Sequence, residues 1–333
     1  MLCSVLREFN RPWVLEERPD PVPGEGQVAI RVHASGMCGT DIHLSHGFLD
    51  ASVPLIPGHE AVGEVAALGP GVTDLVVGDR VGVSWVQRGC GRCTWCQKGA
   101  PVYCAAPQTW MEIGGGHCEI MVAWSEGCTL LPSGLDFETA APMFCAGITV
   151  VSGLRNANVL PGERVAVLGF GGLGHLAIQV AKAWGLETVA LTSSDEKADD
   201  ARALGADDAI VVDSDPGQAL AQVGGADVVL CTSNSARQVS QMISGLRPEG
   251  RIVNAGVLDG PLVINSVDLL TIQGKICGVV QNSRRDLVDT LALAASGKLR
   301  PVLEVYELAD HNEVLARLER GNVRYRAVLL PTK

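Results

Sequence analysis

Gly169-Phe170-Gly171-Gly172-Leu173-Gly174 lies directly between an apolar run, Val165–Leu168, and an amphipathic stretch, His175–Trp184. A strand, a tight glycine turn and a helix in that order leave few folds open, because the helix must return along the face of the sheet that the strand belongs to. Gly169 permits the tight turn, Gly171 lets backbone approach a pyrophosphate at the helix N-terminus, and Gly174 lets helix and strand pack closely. Gly172 and Leu173 complete the loop. Without its flanks the motif is a plain tight turn; between a strand and a helix it reads as a dinucleotide fingerprint. The surrounding sequence agrees. From Arg164 onward, apolar runs alternate with helical stretches, giving strand candidates at Val165–Leu168, Thr188–Leu191, Ala209–Val212, Val228–Cys231, Ile252–Asn254 and Ile276–Val280. That alternation predicts a doubly wound parallel sheet of the α/β class.

The preceding part of the chain has a different grammar. Residues 1 to about 145 carry short β-type runs such as Gln27–Val32 and Glu64–Leu68, broken by turns such as Gly69-Pro70-Gly71, and read as an irregular β domain. Beyond about Arg285, a helical Asp286–Ala295 and a closing Val323–Leu330 do not continue the alternation and are expected to pack back on the first domain. A chain of 333 residues exceeds what one core usually holds, so two domains are expected. A formal charge of −11 and the lack of any Lys/Arg cluster argue against nucleic acid as a partner, and no stretch reads as a membrane span. A small-molecule substrate is the partner expected. The start, Met1–Asn10, has no apolar signal-peptide core, and eleven cysteines fit a reducing compartment, hence the cytoplasm.

Cys90, Cys93, Cys96 and Cys104 stand within fifteen residues, the spacing of four thiolates on one tetrahedral zinc. Four thiolates close the coordination sphere, so such a site braces a loop and does no chemistry. The alternative is four unrelated buried thiols or a disulfide pair. An open metal site needs other ligands. Cys38 and His59 are ligand types held by turns, and Cys145 falls at the boundary of the two domains, where a cleft is expected. Two thiolates and one neutral imidazole leave zinc uncharged with a fourth position free. Read apart from the rest of the chain, the same residues are equally two small buried thiols and a hydrogen-bonded core histidine.

Cys38-Gly39-Thr40-Asp41-Ile42-His43, Gly58-His59-Glu60, Val77-Gly78-Asp79-Arg80-Val81, the four-cysteine loop and the glycine fingerprint occur in the order seen in zinc-dependent medium-chain alcohol dehydrogenases. The chain resembles that family over nearly its whole length. Cys145-Ala146-Gly147-Ile148-Thr149 and the nucleotide loop make it most similar to the short bacterial and cinnamyl-alcohol-dehydrogenase-like branch. The resemblance implies a GroES-like catalytic domain at 1–147 plus 287–333 and a Rossmann nicotinamide-dinucleotide domain at 148–286. It implies two zinc ions per chain, a catalytic one on Cys38, His59 and Cys145 and a structural one on Cys90, Cys93, Cys96 and Cys104. A zinc with an open position acidifies an alcohol or polarises an aldehyde, and the nicotinamide carries hydride. By resemblance, Thr40 and His43 form a proton relay through the nicotinamide ribose to solvent, Asp41 orients His59, and Glu60 is a carboxylate able to ligate transiently. Arg284 matches an arginine on the pyrophosphate, although Asn282-Ser283 precede it where glycine is common.

Cofactor choice is read at Thr192-Ser193-Ser194-Asp195-Glu196-Lys197. An NAD enzyme usually places an acid about 20 residues past the fingerprint to bind the adenosine ribose. Thr192 occupies that place. Hydroxyls of Thr192, Ser193 and Ser194 with the charge of Lys197 suit a 2′-phosphate, so NADP is favoured over NAD, against the opposing charges of Asp195 and Glu196. Trp85 and Trp110 are candidates for either substrate pocket or core. Cys3, Cys118, Cys128, Cys231 and Cys277 read as buried thiols, and His33, His46, His117, His175 and His311 as structural. The function expected is interconversion of a primary alcohol and its aldehyde. The alternatives are a polyol- or threonine-type dehydrogenase of the same family and a non-catalytic zinc protein that keeps the fold; a zinc-free quinone or enoyl reductase would lack both cysteine sets. A homo-oligomer, dimer or tetramer, is expected for such enzymes.

Overall fold

The computed structural model describes residues 1–281 and 283–331, so Asn282 lies outside the described residues. Two compact units emerge, one of residues 1–145, 283–295 and 301–333, the other of 146–282 and 296–300.

In the second unit, six parallel strands lie side by side in the order Asp208–Val211, Glu187–Thr192, Arg164–Leu168, Ala226–Cys231, Leu246–Asn254, Lys275–Gly278. Numbered along the chain this order is 3-2-1-4-5-6, the doubly wound arrangement, with its reversal beside Arg164–Leu168. The central strands Arg164–Leu168, Glu187–Thr192 and Ala226–Cys231 are mostly apolar and buried because both faces are covered, whereas the edge strand Lys275–Gly278 is largely exposed. Ala166, Leu168, Val189, Leu191, Val229, Cys231 and Ile252 belong to one buried cluster. Towards the other face, the helix Ala146–Asn156 comes close enough that a Cβ on Gly153 would meet Leu230 at 3.1 Å and Val253 at 3.6 Å. Cys277 departs from expectation: it lies on the edge strand and is partly exposed.

The first unit is built on a seven-stranded sheet centred on the long strand Gln27–Met37. This strand pairs along its length with Glu60–Leu68, while its first half also pairs with Ile120–Trp124 and its last residues with Arg326–Leu330. Opposite register partners at one end are Gly36 with Glu60 and Met37 with Ala327, so Cys38, Glu60 and Arg326 arrive together at the ends of three adjacent strands. The closing strand does return to this unit. The helix Arg284–Ala295 also belongs here from its first turn, packing near Phe137–Ala140 and Ala141–Phe144. No single helix among the described residues is long and apolar enough to cross a membrane.

Arg251 clamps Glu163 in a two-pronged bond, at 2.7 and 2.8 Å, tying the strand Leu246–Asn254 to the turn that precedes the first strand. The guanidinium holds the Glu163 carboxyl below its ordinary value. A carboxyl depressed on folding adds stability above its unfolded pKa, and that contribution is lost as pH falls through the folded value. Glu163→Gln is therefore expected to lower stability by about 1–2 kcal/mol at pH 7. In urea unfolding the gap between variant and wild type should close below about pH 4; a gap independent of pH would contradict the assignment.

Candidate metal centres and nucleotide loop

Cys38 ends the strand Gln27–Met37 and caps the helix Gly39–Ser45, its sulfur accepting the Thr40 N–H at 3.3 Å. Asp41 completes a capping box, its Oδ2 accepting the Cys38 N–H at 2.9 Å. The sulfur therefore sits at a helix N-terminus, where a thiolate is favoured. His59 is reached through Gly58, whose φ of +104° is open to glycine and strained for other residues. Cys145 follows the short helix Ala141–Phe144, and that helix is seated by Phe144, whose ring fills the place a Cβ on Gly82 would take at 2.1 Å.

These turns bring Cys38, His59, Glu60 and Cys145 into one group with their donor atoms within 4.8 Å of one another. Cys38 Sγ lies 3.3 Å from His59 Nε2 and 3.9 Å from Cys145 Sγ. Zinc–sulfur bonds of about 2.3 Å at the tetrahedral angle place two sulfurs roughly 3.8 Å apart, so the donors fit that ion. The charges fit as well. The Cys38 thiol is held well below its usual value by the hydrogen bond to Cys145 and the neighbouring His59, and Cys145 is correspondingly raised. Burial disfavours charge on His59, but the Cys38 thiolate, Asp41 and Glu60 outweigh it and raise the ring to about 9. Burial raises Glu60 to about 7 against the pull of Arg326. Two sulfurs and two carboxylates thus surround the imidazole with one permanent cation, Arg326, beside them. Such a cluster lacks positive charge, which a divalent metal would supply.

Glu60 is ion-paired with Arg326, both side chains almost fully buried. Its other oxygen, Oε2, has no hydrogen-bond partner among the described residues and occupies the space a Cβ on Gly36 would need, at 1.9 Å. Arg326 went unnoticed in the sequence; the only signal was a lone charge opening the apolar run Ala327–Leu330. Asp41 Oδ2 faces His59 Nδ1 at 3.9 Å. Thr40 and His43, three apart on one helix and both partly exposed, share a face. Trp110 is core, 1% exposed, whereas Trp85 is partly exposed; their rings stand 5.9 and 5.2 Å from that of His59.

The second group is Cys90, Cys93, Cys96 and Cys104, all unoxidised and again within 4.8 Å. Backbone N–H groups of Cys90, Cys93, Cys96 and Ala106 point at the sulfurs of Cys104, Cys90, Cys93 and Cys104, each at 3.4 Å. Donation from the Arg92 and Cys93 amides lowers Cys90 to about 6, while burial and the Cys93 sulfur raise Cys96 to about 12. Gly89 is required, since a Cβ there would lie 2.4 Å from Cys96 Sγ. Four convergent sulfurs with amide donors suit a closed zinc site and leave no ligand position free.

In the other unit, Gly169 takes φ +92°, a Cβ on Gly174 would meet Gly169 O at 2.0 Å, and the space beside Gly171 is open. The helix Gly174–Ala183 has no side-chain cap, and the amides of His175 and Leu176 donate to the carbonyls of Gly171 and Leu173, each at 3.1 Å. The second strand ends in the loop expected to read the cofactor. Thr192, expected to donate to a 2′-phosphate, is buried and donates to Ser194 O at 3.1 Å, and Ser194 Oγ caps the helix Asp195–Ala203. Ser193 is exposed and accepts from Lys197 Nζ at 3.5 Å. Arg284, expected at a pyrophosphate, donates to Glu126 O within the first unit.

Residues 24–133 match the alcohol dehydrogenase GroES-like domain and residues 172–296 the zinc-binding dehydrogenase domain. An alcohol dehydrogenase of Geobacillus stearothermophilus is 38% identical over 336 residues, covering 99% of both chains. Among solved structures, the alcohol dehydrogenase of Aeropyrum pernix superposes with a TM-score of 0.92 at 30% identity, over 99% of this chain and all of that one. A cinnamyl alcohol dehydrogenase of Sorghum bicolor gives 0.92 at 30% identity, over 99% and 97%. A doubly wound sheet, an irregular β unit carrying two thiol-rich clusters and these likenesses define a zinc-type oxidoreductase. The chain belongs to the zinc-dependent medium-chain alcohol dehydrogenases, whose reaction interconverts alcohols and aldehydes.

The four-sulfur loop gives a direct expectation. Cys93→Ser should lose the metal held by this loop and lower Tm, because metal held by a closed site contributes folding free energy. Metal analysis with differential scanning calorimetry checks this; unchanged zinc content would contradict it.

Proposed function

We propose that this protein oxidises primary alcohols, or reduces their aldehydes, at a zinc held by Cys38, His59 and Cys145, with NADP preferred over NAD and a second zinc on Cys90, Cys93, Cys96 and Cys104. The reading rests above all on the Cys38–His59–Cys145 donor set, two sulfurs and one imidazole at 3.3 and 3.9 Å with Cys145 still partly exposed. When bound there, zinc supplies Lewis acidity to the alcohol or carbonyl oxygen, and the nicotinamide carries the hydride.

The protein's own residues do the rest. Thr40 Oγ1 would accept the alcohol proton as its own hydroxyl proton is passed on, and His43, partly exposed on the same helix, would exchange a proton with solvent. Asp41 holds the His59 ring, and Glu60, paired with Arg326, keeps a free oxygen beside the donors. The partly exposed Trp85 ring against His59 favours a substrate with an apolar carbon skeleton over a polyol, which would need polar partners for several hydroxyls. Gly169, Gly171, Gly172, Leu173 and Gly174 hold the pyrophosphate; Arg284 would have to leave the Glu126 carbonyl to join them. Exposed Val263, Val267 and Leu270, and the edge position of the strand Lys275–Gly278, support a homo-oligomer, and eleven free cysteines suit the cytoplasm.

His59→Ala and Cys145→Ala should abolish turnover while nucleotide affinity, followed by fluorescence titration, stays at the wild-type level. Turnover that survives zinc removal would sink the metal assignment. NADP preference rests on Ser193 and Lys197 and on the lack of an acid at Thr192. Lys197→Ala should lower kcat/KM for NADPH by about tenfold and leave NADH nearly unchanged, and Thr192→Asp should favour NADH. A wild type that prefers NADH would overturn this part.

A further inference from the structure

His117 was expected to be structural, yet it stands at the rear of the candidate catalytic metal site. Its side chain is fully buried, as are those of Asp41 and His59. His117 Nε2 lies 3.6 Å from Asp41 Oδ1, and neither atom has a hydrogen-bond partner among the described residues. The other oxygen of Asp41 is already occupied, accepting the Cys38 N–H and facing His59 Nδ1, which is itself unpartnered. On the far side of the ring, His117 Nδ1 is 2.9 Å from Ser35 Oγ. With the serine hydroxyl donating to Nδ1, the proton of a neutral ring sits on Nε2 and points at Asp41.

The main chain holds this arrangement against the turn that carries His59. Gly115, Gly116 and His117 donate to the carbonyls of Ile56, Gly58 and Pro57 at 2.7, 2.8 and 2.9 Å. Gly58 makes room for the imidazole, because a Cβ there would come within 2.7 Å of the His117 backbone nitrogen and 2.8 Å of Nδ1. The space is thus fitted to a ring at this position. A buried carboxylate oxygen and a buried imidazole N–H left apart would each bear a desolvation cost that a few tenths of an ångström of approach removes.

We propose that His117 is a positioning residue of the metal centre, its Nε2–H donating to Asp41 Oδ1 so that Ser35, His117, Asp41 and His59 form one buried chain ending at the metal. The inference rests on the reading that His59 is a zinc ligand. Unlike Glu60, which is paired with Arg326, Asp41 has no cationic side chain as hydrogen-bond partner among the described residues, so its donors decide both its orientation and that of His59. Outer partners of this kind typically set metal affinity by 10–100-fold.

The test is zinc affinity, measured by chelator competition on the full-length protein, with His59→Ala marking which of the two zinc ions is counted. His117→Leu should weaken that zinc by about 10–100-fold and leave the four-thiolate zinc untouched. His117→Gln, whose amide nitrogen reaches where Nε2 stood, should restore wild-type affinity, whereas the shorter His117→Asn should not. If His117→Leu does not fold, the Gln and Asn pair still decides the matter. In the Asp41→Asn background His117→Leu should add no further loss, since it acts through Asp41. Equal affinity for wild type, His117→Asn and His117→Leu, with Asp41→Asn still weakened, would overturn the role of His117 and leave the zinc reading standing. Failure of His59→Ala to remove any zinc would instead remove the reading beneath it.

Discussion

The sulfur of Cys38 links the parts of the first unit's site, because it is at once the end of a strand, the cap of a helix and a donor to the candidate metal position. Capping satisfies amides at the helix start and favours the thiolate; the same helix places Asp41 inward and carries Thr40 and His43 on a more open face. The pairing of Gly36 with Glu60 and of Met37 with Ala327 then fixes which groups stand beside that sulfur. A slip of one residue in either ladder would turn Glu60 or Arg326 to the opposite face of the sheet. Local capping and long-range register thus converge on a few atoms.

Charge explains why the cluster is tolerable. Burying Glu60 and Arg326 together is expensive, and the pair compensates itself only because the two are bonded to each other. The two sulfurs and His59 have no such internal compensation. With a dication they would be neutral as a set, with the imidazole kept unprotonated; without it the ring is driven towards its charged form. The four-sulfur loop solves a similar problem with backbone amides, which is why it sits on a turn-rich segment with little regular structure.

The fold was largely legible from sequence. The doubly wound sheet announces itself because parallel strands are buried on both faces and their sequences are apolar without alternation, and the glycine loop has a separate steric reason for each of its key positions. The candidate metal ligands, which the structure gathers into two groups, were legible by residue type. Arg326 and His117 were not, because what makes each informative is a partner far away in the chain, Glu60 for one and Asp41 for the other. The bond of the Thr192 hydroxyl to Ser194 O was not legible for a different reason: a strand-end threonine can satisfy a carbonyl two residues on, and residue type alone does not separate that use from ligand binding.

The proposed function requires one closed metal position and one open one. Cobalt(II) exchanged for zinc reports donor set and coordination number in its visible absorption. The account predicts two cobalt ions per chain: one, removed by Cys93→Ser, whose bands ignore a short aliphatic amide used as an unreactive carbonyl analogue, and one, removed by Cys145→Ala, whose bands shift when the amide is added. A spectrum unmoved by the amide, or a responsive cobalt that survives Cys145→Ala, would contradict it.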